Sequence, residues 1–185
     1  MADGHFKSKD KATMKKMLAV LPLALCASGA FAHHNDPVVH WNSIVGVITA
    51  QGVNNPIGLA GNIDSGTFAW STHGGRATAD LSTGATSFEV DGLVINGTVF
   101  SGTPGPVSAV TGTLVCNPGE AAQTILDTDP VSLSAQGDAR FSGQITGVPA
   151  TCANPLFLIR INTPAGAAGL WIATGAERFV DDGSN

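Results

Sequence analysis

The sequence predicts an all-β, single-domain antiparallel β-sandwich, Ig-like or jelly-roll-like, held by one disulfide. Three observations predict it. Short β-rich runs alternate with turn residues every 8–12 positions, which is the spacing of a sandwich or barrel. Glycine is frequent, 23 of 185 residues, and charged residues make up only 12%. Two cysteines, Cys116 and Cys152, remain once the leader is set aside.

The leader is residues 1–32. Five lysines (Lys7, Lys9, Lys11, Lys15, Lys16) precede the apolar run from Met17 to Leu25, and Ala30-Phe31-Ala32 ends in small residues. A basic start, a short apolar centre and a small-x-small end read as a secretory signal peptide. Translation is expected to begin at Met14, and cleavage to fall before His33. The apolar centre is shorter than the ~20 residues that span a bilayer, and no later run reaches that length, so no membrane span is expected.

Residues 33–185 hold four arginines, no lysine and 12 acids, a formal charge of −8. An anionic surface repels phosphate backbones, which argues against nucleic-acid partners. Without lysine there is no amine for Schiff-base chemistry. Export to an oxidising compartment, periplasm or medium, makes Cys116 and Cys152 a disulfide. No C-x-x-C and no nearby histidine favours a metal or a reactive thiol instead.

Within the chain, residues 33–42 read as an N-terminal arm, 43–178 as the sandwich and 179–185 as a flexible tail. Strands are expected at about 43–50, 67–71, 76–81, 86–95, 98–101, 107–116, 131–135, 138–147, 156–162 and 170–175. Turn residues separate them, among them Asn54-Asn55-Pro56, Asn117-Pro118-Gly119, Asn154-Pro155 and Thr163-Pro164. Asn96-Gly97 between Leu93-Val94-Ile95 and Thr98-Val99-Phe100 predicts a two-residue hairpin, because both residues tolerate positive φ. Asn96-Gly97-Thr98 is also a glycosylation sequon, but a bacterial leader favours the hairpin. Leu156 to Ile161 is almost wholly apolar and reads as a central strand buried on both faces. Ala121 to Leu126 could form one helical turn.

The stretch from Cys116 to Ala173 carries a resemblance. Asp129-Pro130-Val131-Ser132-Leu133-Ser134, Gly137-Asp138-Ala139-Arg140-Phe141-Ser142-Gly143, Pro149-Ala150-Thr151-Cys152 and Trp171-Ile172-Ala173 resemble segments of uncharacterised secreted β-rich proteins of soil bacteria. The similarity covers roughly residues 85–178. It implies export from a bacterial cell, and it assigns no activity and no catalytic residue.

Candidate sites are few. G-x-S-x-G is absent, and no catalytic residue is assigned. Asp127-Thr128-Asp129 lacks the rest of a calcium loop and reads as an acidic turn. Trp41, Trp70 and Trp171 read as core, although an exposed Trp would suit carbohydrate stacking. The sharpest chemistry lies at the expected mature N-terminus. An N-terminal His33 offers its amine and imidazole to one ion, and a further imidazole from His34, His40 or His73 would complete a set that suits Cu(II). That arrangement resembles the histidine brace of lytic polysaccharide monooxygenases and copper-carrier proteins, which implies copper as the cofactor. The competing expectation, and the main one, is a non-catalytic binding or structural role. Its partners would be a surface or matrix component, or a second copy paired through the arm 33–42.

Overall fold

The computed structural model describes residues 37–58 and 63–181. Among them are eleven strands and no helix. The strands are β1 (Val38–Gly46), β2 (Trp70–Ser71), β3 (Gly74–Asp80), β4 (Ala85–Asp91), β5 (Val94–Ile95), β6 (Ala109–Cys116), β7 (Thr124–Asp127), β8 (Val131–Ser132), β9 (Ala139–Gln144), β10 (Leu156–Asn162) and β11 (Ala168–Asp181). The all-β antiparallel architecture with one disulfide is as expected. Its two layers are two halves of one curled sheet, in the order β7-β6-β10-β11-β1-β3-β4-β9. A small second sheet pairs β2 with β5.

The curl follows from the core. In sheet order β6 and β4 are five places apart, about 24 Å if the sheet were flat. Yet a Cβ on Gly112 of β6 would lie 2.7 Å from the Phe88 ring of β4 and 2.8 Å from the Phe157 ring of β10. The sheet therefore wraps around these rings, and Gly112 is the residue that leaves them room. Phe157 packs on Phe88 at 5.7 Å and on Trp41 at 5.5 Å between ring centroids. Phe88 in turn stacks on Phe141 of β9 at 5.8 Å. The two ends of the sheet approach through the turn after β8, where the Ser134 amide donates to the Asp138 carbonyl.

The strand called central is central. β10 lies between β6 and β11, and Phe157, Leu158 and Ile159 are all completely buried. Its flank β6 is buried from Val110 to Cys116. The outer edge of β6 is taken first by β7 and then by β8. Between those two, Thr128 bonds both ways with Gly112, by its amide to the carbonyl and by its hydroxyl from the amide. The turn Asp127-Thr128-Asp129 is structural at its first acid. Thr113 Oγ1 donates to Asp127 Oδ1 at 2.6 Å, and Arg160 Nη1 lies 3.3 Å from the same oxygen.

Four local expectations are corrected. Residues 38–42 are not an arm. They are the first half of β1, and Val38–Trp41 pair with β3 on one side and β11 on the other, so that stretch has no edge to offer a neighbour. Residues 179–181 are not a tail but the end of β11, with Phe179 opposite His40. Residues 124–127 form β7 rather than part of a helical turn, because Leu126 pairs with Leu114. The two-residue hairpin at Asn96-Gly97 does not form. Ile95 instead meets Gly102 and Thr103, through Gly102 N to Ile95 O and Ile95 N to Thr103 O, both 2.9 Å. Ser101 explains this. Its hydroxyl accepts from the Thr98 amide and donates to the Thr98 carbonyl, which offers that backbone a local alternative to a ladder.

The β3–β4 connection is built on Asp80. Its Oδ1 accepts from the Ser82 hydroxyl at 2.7 Å, the Ser82 amide at 2.9 Å and the Thr83 amide at 3.1 Å. These bonds, the Ser82 hydroxyl first among them, hold its pKa down to about 2 from an ordinary 3.8. A depressed carboxylate stabilises the fold above the unfolded value and stops doing so as pH falls through the folded one. Between pH 3.8 and about 2 the Asp80→Asn variant should therefore lose less stability than the parent. Parallel acid titrations followed by circular dichroism check this, and identical slopes would contradict it.

Candidate functional site

One end of the curled sheet carries an apolar cleft of about 570 Å³. Its floor is Trp70 of β2, Ile95 of β5 and Ile161 at the end of β10. Its walls are Phe68, Leu170 of β11, and Val99 and Phe100 from the loop between β5 and β6. That loop, 96–106, is held as a compact unit by the Ile95 bonds to Gly102 and Thr103. It is also tied to the residue before β2, through the Asn96 amide to the Ala69 carbonyl at 2.8 Å. β2 is placed by the residue that follows β1: the Trp70 amide donates to the Val47 carbonyl at 2.9 Å. Gly46 lies so close to the Trp70 carbonyl that a Cβ there would overlap it. Gly105, at φ +60, lets the Phe100 side chain close over it.

The exposure of these walls is unusual for their type. Val99 is 95% exposed and Phe100 48%, with Leu170 at 42% and Phe68 at 37%. Single exposed apolar residues are ordinary, but a concave cluster of them is the form of a ligand site. The polar side chains in the lining are Gln51, Thr67 and Thr98, all neutral. The described residues that line it include no acid, no base, no histidine and no cysteine. Its chemistry is burial.

The residues singled out from the sequence lie elsewhere, except one. His33 and His34 fall outside the described residues. His40 stacks on Phe179, ring centroids 4.8 Å apart and planes within 8°. His73 precedes β3, with its amide bonded to the Asp91 carbonyl and its ring against Gly92. His40 pairs with Thr78, five residues along β3 from His73, so the two imidazoles are separated by about 16 Å of strand and do not share an ion. Among the described residues no group of three or more His, Cys, Asp or Glu is placed to hold a metal. Cys116 and Cys152 are bonded to each other. Trp41 and Trp171 are core, and Trp171 Nε1 donates to the Asn55 carbonyl at 2.9 Å. Trp70 is also buried as a residue, yet its ring forms part of the cleft.

No protein-family model, curated protein or solved structure matches this chain.

A second surface feature is charged. Arg76, Glu89 and Arg140 lie side by side across β3, β4 and β9, with Arg76–Glu89 at 3.0 Å and Arg140–Glu89 at 3.7 Å. Asp91 adds a further contact to Arg140 at 3.7 Å. Two cations and two anions neutralise each other here, and both arginines are about 70% exposed, so the row contributes little stability and presents no net charge to a ligand. Sequence reasoning missed the cleft because Phe68, Phe100 and Leu170 are far apart in the chain. The available signal was Val99-Phe100, an apolar pair within a Gly-, Ser- and Thr-rich loop.

Proposed function

We propose that the protein is a non-catalytic binding module, exported from a bacterial cell, that takes a neutral apolar ligand or side chain in the cleft between Phe68, Phe100 and Leu170. The observation that carries this is a concave site of about 570 Å³ whose walls are apolar and whose described lining residues carry no charge. That volume is within the 300–1,000 Å³ typical of small-molecule sites. Export is supported by the leader-like start of the sequence and by the disulfide, which suits an extracytoplasmic compartment. Among the described residues no helix is long and apolar enough to cross a membrane.

The test uses a neutral, environment-sensitive dye such as Nile red. Saturable binding with a blue-shifted emission is expected. Phe100→Asp should weaken it by about tenfold or more, since a buried Phe contributes ~1.5–3 kcal/mol and each 1.4 kcal/mol is a factor of ten. Because Phe100 is half exposed, the variant should keep the parent's melting temperature. Dye binding that never saturates, or that ignores the substitution, would overturn the proposal.

A further inference from the structure

The Asn96-Gly97 pair, displaced from its expected hairpin, has the chemistry of a self-modifying site. We infer that Asn96 converts spontaneously to aspartate and isoaspartate in the folded protein, and that it does so ahead of every other described asparagine. The reaction needs three things. The asparagine carboxamide must be reachable, the next backbone nitrogen must carry a hydrogen that no acceptor holds, and the next residue must not shield that nitrogen. Asn96 and Gly97 are both exposed. Among the described residues nothing accepts the Gly97 N–H and nothing bonds the Asn96 side chain. A Cβ at Gly97 would meet no atom within 4 Å, so the approach is open.

The other described asparagines each fail one requirement. Asn55, Asn117 and Asn154 are followed by proline, whose nitrogen has no hydrogen to lose. After Asn54, the Asn55 amide donates to Ser65 Oγ at 2.7 Å. After Asn162, the Thr163 amide donates to the Ala167 carbonyl at 2.9 Å, and Thr163 is β-branched. Asn42 is followed by Ser43 inside β1, paired with Ala176.

The step balances with water as the only co-reactant. The Gly97 nitrogen attacks Asn96 Cγ and a five-membered imide forms. The bond from Cγ to the side-chain nitrogen breaks, and that nitrogen leaves as ammonia, taking the proton from Gly97. Water then opens the ring at one of two carbonyls. Attack at Cγ gives aspartate, whereas attack at the backbone carbonyl routes the chain through Cγ and gives isoaspartate. Nothing is oxidised or reduced. Either product places a carboxylate at the rim of a cleft whose described lining residues have none, because Gly97 and Thr98 are part of that lining.

The experiment is incubation of the intact, disulfide-bonded protein at mildly alkaline pH, followed by peptide mass spectrometry. The expected result is the mass gain of an amide becoming an acid on the peptide containing Asn96, with an isoaspartyl fraction that a protein isoaspartate methyltransferase labels. Conversion there should be about tenfold or more faster than at any other described asparagine, since only glycine leaves the following amide unshielded. Asn96→Gln should abolish it, because a six-membered imide closes far more slowly, and the variant keeps the fold at this exposed position. The inference is overturned if Asn96 stays an amide while the unfolded chain converts, or if Asn42, Asn54 or Asn162 keeps pace with it. The readout is independent of whether the cleft binds any ligand.

Discussion

Replacing Cys116 and Cys152 together with alanine is expected to lower the unfolding free energy by up to about 4 kcal/mol. The two residues are 36 apart, and the chain-entropy model assigns that much to closing such a loop in the unfolded ensemble. The native state should change little, because a second clasp holds the same segment. Asn117, next to Cys116, makes three hydrogen bonds to the 151–153 stretch. Its Oδ1 accepts from the Ala153 amide at 2.8 Å, its Nδ2 donates to the Thr151 carbonyl at 3.1 Å, and its own amide donates to the Ala153 carbonyl at 2.9 Å. Urea denaturation of the parent and the double variant measures the difference. The expected signature is a lower midpoint with a slope at least as steep, because the opened chain exposes more surface on unfolding. For a domain of this size the loss corresponds to roughly 10 °C in melting temperature. An unchanged midpoint would mean that the unfolded ensemble already keeps these segments close. The Asn117→Ala variant in both backgrounds would then reveal whether the asparagine clasp is what keeps them there.

Much of the fold was legible, and where it was not the reason is specific. β10 was read at its true bounds because its apolar run is bracketed by Asn154-Pro155 and Thr163-Pro164, so local chemistry and tertiary burial agree. β3, β4 and β6 start within two residues of their expected positions for the same reason. β1 was started late: Val38-Val39-His40-Trp41 alternates as a strand should, but it follows Pro37 and a polar His-rich stretch that reads as an arm. β7 was missed because its strand character comes from Leu114 and Val115 across the pair, not from its own neighbours. The loop 96–106 turned on one hydroxyl, that of Ser101, which competes with a hairpin that Asn96-Gly97 would otherwise favour. The disulfide was legible from arithmetic alone. The cleft was not, because a concave site is a property of three distant segments and no single one of them signals it.

The core makes its own prediction at Trp41. Trp41→Ala should cost about 3–5 kcal/mol, the usual penalty for truncating a fully buried Trp. The ring is 1% exposed and lies against Phe157 of β10. On its other side a Cβ at Gly175 would fall 2.6 Å from it, so glycine at that position is what lets the indole lie close to β11. From Trp41 the rings of Phe157, Phe88 and Phe141 follow in contact, linking β1, β10, β4 and β9 across the inside of the curl. Removing the first ring leaves a cavity beside β11 that Gly175, with no side chain to move into it, cannot fill. Trp70→Ala provides the comparison. That ring has the cleft on one side, so fewer packed atoms surround it, and its loss should cost less while weakening the dye site. Chemical denaturation of the two variants decides the matter. A Trp41→Ala penalty no larger than that of Trp70→Ala would mean that the aromatic row is not what holds the two halves of the sheet together.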